Sequence, residues 1–172
     1  MSQEAAPDRR QLRRSQTIEE IVQLAVEVMA EEGVGGLSLG EVARRLGIRT
    51  PSLYVYFDSK HAVYDAVFAL GWRTVHESSL LLPEPDARST AVDYLGRSSA
   101  HFVRWCIENP VHAQLMLWRP VPRWEPSAAA FEPAVDALAV TTSRIARLQE
   151  LGKLSTEVPL DELVGAWTVL MT

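Results

Sequence analysis

The segment Leu37–Lys60, LSLGEVARRLGIRTPSLYVYFDSK, constrains the fold more than any other part of the chain. Ser38 is a favourable N-cap with Glu41 at capping-box spacing, and Val42, Ala43 and Leu46 then share one helical face. Gly47 supplies the left-handed residue that ends such a helix, and Ile48 can fold back against it. Thr50-Pro51 opens a second helix, expected over residues 51–57, with a hydroxyl at the cap and proline at the first helical position. Two short helices across so tight a turn form a helix-turn-helix, which presents the start of its second helix to the major groove of DNA.

The flanking sequence is helical too. Ile18, Ile21, Val22, Ala25, Val28 and Met29 recur at helical spacing between Thr17 and Glu32, with Thr17 and Glu20 spaced as a second capping box. Residues 1–15 are polar and charged, and are expected to form a disordered arm whose arginines either enter a minor groove or merely solvate the chain. The Gly33-Val34-Gly35-Gly36 connector has no strand before it and no lysine after it, which excludes a phosphate-binding loop. Ser59 caps a long helix from Lys60 to about Leu82, with Val63, Val67, Leu70 and Thr74 facing inward. Further helices are expected over about 88–108, 110–118 and 127–151, with Val92, Val103, Ile107, Val135 and Leu138 among their periodic apolar residues. A last helix starts at Pro159 and is still apolar at Thr172. Strand alternation and repeats are absent from the sequence, so the expected class is all-α: a three-helix headpiece over 16–58 and a helical body over 59–172.

Gly47, Ile48, Pro51, Ser52, Leu53, Tyr54, Tyr56, Phe57, Ser59 and Lys60, with Glu41 to Ala43 before them, resemble the signature of the TetR-type (AcrR-like) transcriptional regulators, G-V-x-x-[GP]-[ST]-L-Y-x-[YH]-F-x-[SN]-K. The resemblance covers about a third of the chain, from Thr17 to Phe68. It implies a ligand-responsive regulator, by family habit a repressor, acting as a homodimer on palindromic double-stranded DNA and released by a small hydrophobic or amphipathic effector. Carried over residue by residue, it assigns Thr50, Ser52 and Val55 to the base-reading face, and Tyr54, Tyr56, Lys60 and Ser38 to phosphates. Arg44 and Arg49 are further candidates. For Tyr54 the competing expectation is core packing. The body is implied to enclose a pocket, for which Tyr94, Phe102, Trp105, Met116, Trp118, Phe131 and Trp167 supply aromatic and apolar surface, although such stripes are more often plain core. Family members usually close with two long helices that pair in the dimer; this sequence stops within the first without a stop signal, so either a fragment or a reduced interface is expected.

Composition narrows the alternatives. The net charge is −5, with −1 on residues 1–60 and −4 on the remainder, so a phosphate-binding face must come from local clustering of Arg44, Arg45, Arg49 and Lys60 rather than from the total. A single cysteine, Cys106, rules out an intrachain disulfide. There is no long apolar run and no signal-peptide pattern, which points to a cytoplasmic protein. His76-Glu77 begins a zinc-binding H-E-x-x-H but Leu80 occupies the second ligand position, and Gly96-Arg97-Ser98 resembles a nucleophile elbow placed inside a helix. Neither supports an enzyme, and no metal or cofactor is expected. The remaining rival is a helical protein-interaction module, which would leave Tyr54, Tyr56 and Lys60 without a purpose.

Overall fold

The computed structural model describes residues 9–118 and 120–171. Among them the secondary structure is helical, without strands: α1 Arg9–Glu32, α2 Leu39–Leu46, α3 Thr50–Leu53, α4 Lys60–Leu80, α5 Ala91–Glu108, α6 Pro110–Leu117, α7 Ala128–Glu150 and α8 Leu160–Met171, with a 3-10 turn at Val34–Gly36.

The headpiece is built by its caps. Ser38 Oγ accepts from Glu41 N at 3.3 Å and starts α2. Gly47 ends it at φ 75°, where Ile48 N donates to Ala43 O at 3.0 Å and closes a Schellman-type turn. The reciprocal half of the capping box is replaced. The Glu41 carboxylate instead accepts from Arg44 and from Arg45, each at 2.8 Å, and its pKa falls from 4.5 to about 2, chiefly through those hydrogen bonds. Arg45 also reaches Glu31 at 2.6 Å, bracing α2 against α1. The apolar face read from the sequence of α1 is the buried one: Ile21, Val22, Ala25, Val28 and Met29 pack on Val42, Ala43 and Leu53.

Two headpiece boundaries differ from expectation. Helix α1 begins at Arg9, so 9–15 are helical rather than a disordered arm; residues 1–8 lie outside the described range. Arginine, glutamine and leucine here are good helix formers. The expected cap at Thr17 is not used, because Thr17 Oγ1 donates back to Arg13 O at 3.0 Å within the continuing helix. Helix α3 is a single turn from Thr50 to Leu53 with Arg49 in the cap position, and Tyr54–Tyr56 form a turn rather than its continuation. Tyr56 N and Phe57 N both bond to Leu53 O, at 2.9 and 3.1 Å, tightening the chain before it enters α4.

Helix α4 joins the two regions. Ser59 caps it through Ala62 N. Its first half is held to the headpiece: Tyr64 Oη donates to Val34 O at 2.9 Å and Lys60 Nζ to Gly35 O at 3.4 Å. Its buried residues Val63, Tyr64, Val67 and Phe68 continue the headpiece core into the body, where Trp105, Leu115 and Trp124 join it. Trp124 Nε1 donates to Asp65 Oδ1 at 2.9 Å, fixing the α6–α7 loop on the same helix. At Gly71 the side chains of α6 come close: an added Cβ would lie 3.1–3.2 Å from His112 side-chain atoms and 2.5 Å from Met116 Sδ.

Several body faces differ from the periodicity reading. On α5, Val92, Val103 and Ile107 are exposed while Tyr94 and Trp105 are buried; on α7, Val135 and Leu138 are more than 40% exposed while Ala130, Ala134 and Ala137 are buried. These helices carry apolar residues on more than one face, so the period does not select the buried one.

Candidate functional site

Around α3 the fold separates two kinds of side chain. Leu53 and Phe57 point inward and lock the segment, whereas Tyr54 is 51% and Val55 66% exposed. Tyr54 is therefore not a core residue. Arg49 and Ser52 are exposed beside them, Thr50 and Tyr56 are half-buried, and Ser38 is an exposed cap. The cations of this face are not equivalent. Arg44 is well exposed but held bidentate by Glu41, Arg45 is spent on Glu31 and Glu41, and Lys60 is half-buried over the Tyr64 ring. Arg14, assigned to the arm by sequence, lies against the reading segment: it donates to Val55 O at 3.2 Å and stands 5.4 Å from the Tyr56 ring centre. Neither contact was legible from sequence, because 41 residues separate the first pair.

The second candidate is a cavity of about 290 Å³ in the body, bounded by α4, α5, α7 and α8. Of the residues expected there, Tyr94, Phe102, Trp105, Phe131 and Trp167 line it. Met116 and Trp118 do not. Met116 is buried against Gly71 at the α4–α6 contact, and Trp118 sits at the end of α6, 70% exposed. The sequence reading missed Trp72, His101 and Arg144, all of which line the cavity. Arg144 is 5% exposed and donates to Glu84 Oε1 and Leu82 O, both at 3.1 Å, tying α7 to the end of α4. Burial pushes the Tyr94 phenol above its ordinary pKa.

Ring contacts lead from cavity to headpiece. Phe131 stacks on Phe68 at 5.9 Å, Phe68 meets Trp124 at 5.8 Å, and Trp124 meets Tyr64 at 5.6 Å. Tyr64 is the residue bonded to Val34. Among the described residues no helix is long and apolar enough to cross a membrane, and no group of His, Cys, Asp and Glu could hold a metal ion.

Residues 21–67 match the family described as bacterial regulatory proteins, tetR family. The class A tetracycline repressor of transposon 1721 from Escherichia coli is 33% identical over 69 residues, covering 40% of this chain and 32% of that protein. An HTH-type transcriptional regulator of Bacillus subtilis, YvdT, is 35% identical over 49 residues, covering 28% of this chain and 25% of its own length. The matched segments span between 25% and 38% of the curated relatives. Solved structures extend the fold match further: a tetR-family regulatory protein from Rhodococcus RHA1 superposes with TM-score 0.68 at 21% identity over 91% of this chain and 81% of its own. RolR, solved with resorcinol as ligand, gives 0.61 at 20% identity over 93% and 81%. Residues 21–67 thus carry a helix-turn-helix domain of the tetR type, and the chain as a whole shares the fold of solved tetR-family regulators.

Proposed function

We propose that this protein is a ligand-responsive transcriptional repressor, a cytoplasmic homodimer that binds a palindromic operator and leaves it when the body cavity fills. The observation that carries the DNA-binding half is the exposed pair Tyr54 and Val55, held outward by the buried Leu53 and Phe57. In this reading Thr50, Ser52 and Val55 face bases, Val55 offering an apolar contact to a thymine methyl. Tyr54, Tyr56, Lys60 and Ser38 contact phosphates. Arg49 adds an exposed cation, while Arg44 and Lys60 must each give up an internal partner to reach the backbone.

Helix α4 supports the ligand-responsive half. Trp72 and Val75 line the cavity while Tyr64, two turns earlier, is bonded to the headpiece. A ligand that shifts α4 changes the spacing of two headpieces, which must match successive major grooves about 34–36 Å apart. RolR, a fold neighbour, holds resorcinol, a small aromatic molecule, and the cavity here is lined by aromatic rings. The domain reading follows: a headpiece over 16–58 and a ligand-binding, dimerising body over 59–172.

Selection of random duplexes by the purified chain at about physiological salt, where non-specific binding is micromolar or weaker, tests the reading. Recovery of an inverted repeat is the expected outcome. Enrichment of no sequence, while the protein remains folded, would leave the interaction-module alternative as the better account.

A further inference from the structure

Given the cavity's reading as an effector site, we propose that it takes an uncharged, planar, roughly bicyclic molecule bearing carbonyl-type oxygen acceptors, and discriminates against both pure hydrocarbons and anions. Three lining residues bury polar atoms that have no hydrogen-bond partner: Trp72 Nε1, Tyr94 Oη and His101 Nε2. The hydroxyls of Ser78, Ser79 and Thr141 donate to carbonyls of their own helices.

The unpartnered atoms define what a ligand must offer. An indole N–H only donates, and a neutral phenol donates readily; Tyr94, 4% exposed and raised in pKa by burial, stays neutral. A buried donor without a partner is costly, so a ligand supplying oxygen acceptors gains what a hydrocarbon of the same shape forgoes. His101 Nε2 adds a third polar point whose sense follows its tautomer.

Charge and size limit the class. Arg144 is the charged side chain among the described lining residues, and Glu84 already neutralises it at 3.1 Å. An anion would have to break that pair and the bond to Leu82 O. A volume of about 290 Å³ lies at the bottom of the range for small-molecule sites, and flat rings from Trp72, Phe102, Phe131 and Trp167 favour a flat guest.

Calorimetric titration of the full 172-residue chain with coumarin, naphthalene and naphthoate tests this. Coumarin, with two acceptor oxygens and no donor, should bind about tenfold more tightly than naphthalene, which has the same bicyclic outline. Tyr94→Phe and Trp72→Phe should each weaken coumarin about tenfold and leave naphthalene within about twofold, a contrast that loss of folding would not produce. Equal affinity for coumarin and naphthalene, tightest binding of naphthoate, or no coumarin binding would each overturn the assignment. Coumarin binding that leaves operator affinity unchanged would instead refute the effector reading alone. Release from the operator by an anionic or hydrocarbon ligand would do the reverse.

Discussion

The headpiece and the body are packed on opposite principles. Around α1–α3 the apolar side chains are mostly buried, and Leu12, Tyr54 and Val55 are the large ones that stand outward. In the body a cavity replaces part of the core, polar atoms of Trp72, Tyr94 and His101 are buried without partners, Val92 and Val103 of α5 face outward, and Val135 and Leu138 of α7 are partly exposed along the cavity wall. The comparison teaches that the two regions keep different reserves. One is locked so that a few outward residues hold still, while the other leaves room and unpaired donors for something to be added.

A pair of truncations should separate the two regions most strongly. Leu53→Ala removes a fully buried side chain from the headpiece and should cost about 2–5 kcal/mol in urea unfolding. Leu138→Ala, on the partly exposed cavity wall, should cost well under that, within about 1 kcal/mol. Similar losses would mean that the cavity wall is as tightly packed as the headpiece.

The outward residues of the headpiece provide the next test. Tyr54→Ala should weaken operator binding about tenfold while moving stability by no more than about 0.5 kcal/mol. Lys60→Ala should weaken all sequences alike and flatten the salt dependence by about one unit. An unchanged salt slope would restrict Lys60 to its bond with Gly35 and its place over Tyr64.

How legible each region was in the sequence follows from the same contrast. Ser38, Gly47, Pro51 and Ser59 are punctuation marks with local causes, and α1 and α2 carry one apolar face each, so the headpiece core could be read almost residue by residue. The length of α3 could not, because the turn at 54–56 depends on Phe57 seating in a core built by distant helices. In the body, aromatic residues alone could not distinguish wall from core or surface. Met116 fills the space left by Gly71, Trp118 sits outside, and Trp72 was passed over because α4 is apolar on several sides. Arg144 and Glu84 are 60 residues apart, and no local pattern announces their pairing.

Smaller effects sharpen the comparison further. Gly96 in α5 has open space where a Cβ would stand, so Gly96→Ala should stabilise the chain by about 0.5–1 kcal/mol through helix propensity. At Gly71 the close contacts with His112 should cancel that gain. The weakest signal concerns His112, whose pKa burial holds below 6.5. A base depressed in the folded state binds fewer protons there than in the unfolded chain, so its effect is absent above pH 6.5 and stability falls as pH drops below it, towards the folded pKa. His112→Leu should flatten this part of the stability profile in urea titrations across pH.

Helix α4 is 21 residues long, a rod of about 32 Å. Pivoted near Val75 on the cavity wall, about 22 Å from Lys60, such a rod turns a tilt of about 5° into about 2 Å at its far end. Under the proposed effector reading, a small shift of α4 at the cavity is thereby amplified along the rod. The bonds from Tyr64 and Lys60 to Val34 and Gly35 would then pass that displacement to the headpiece.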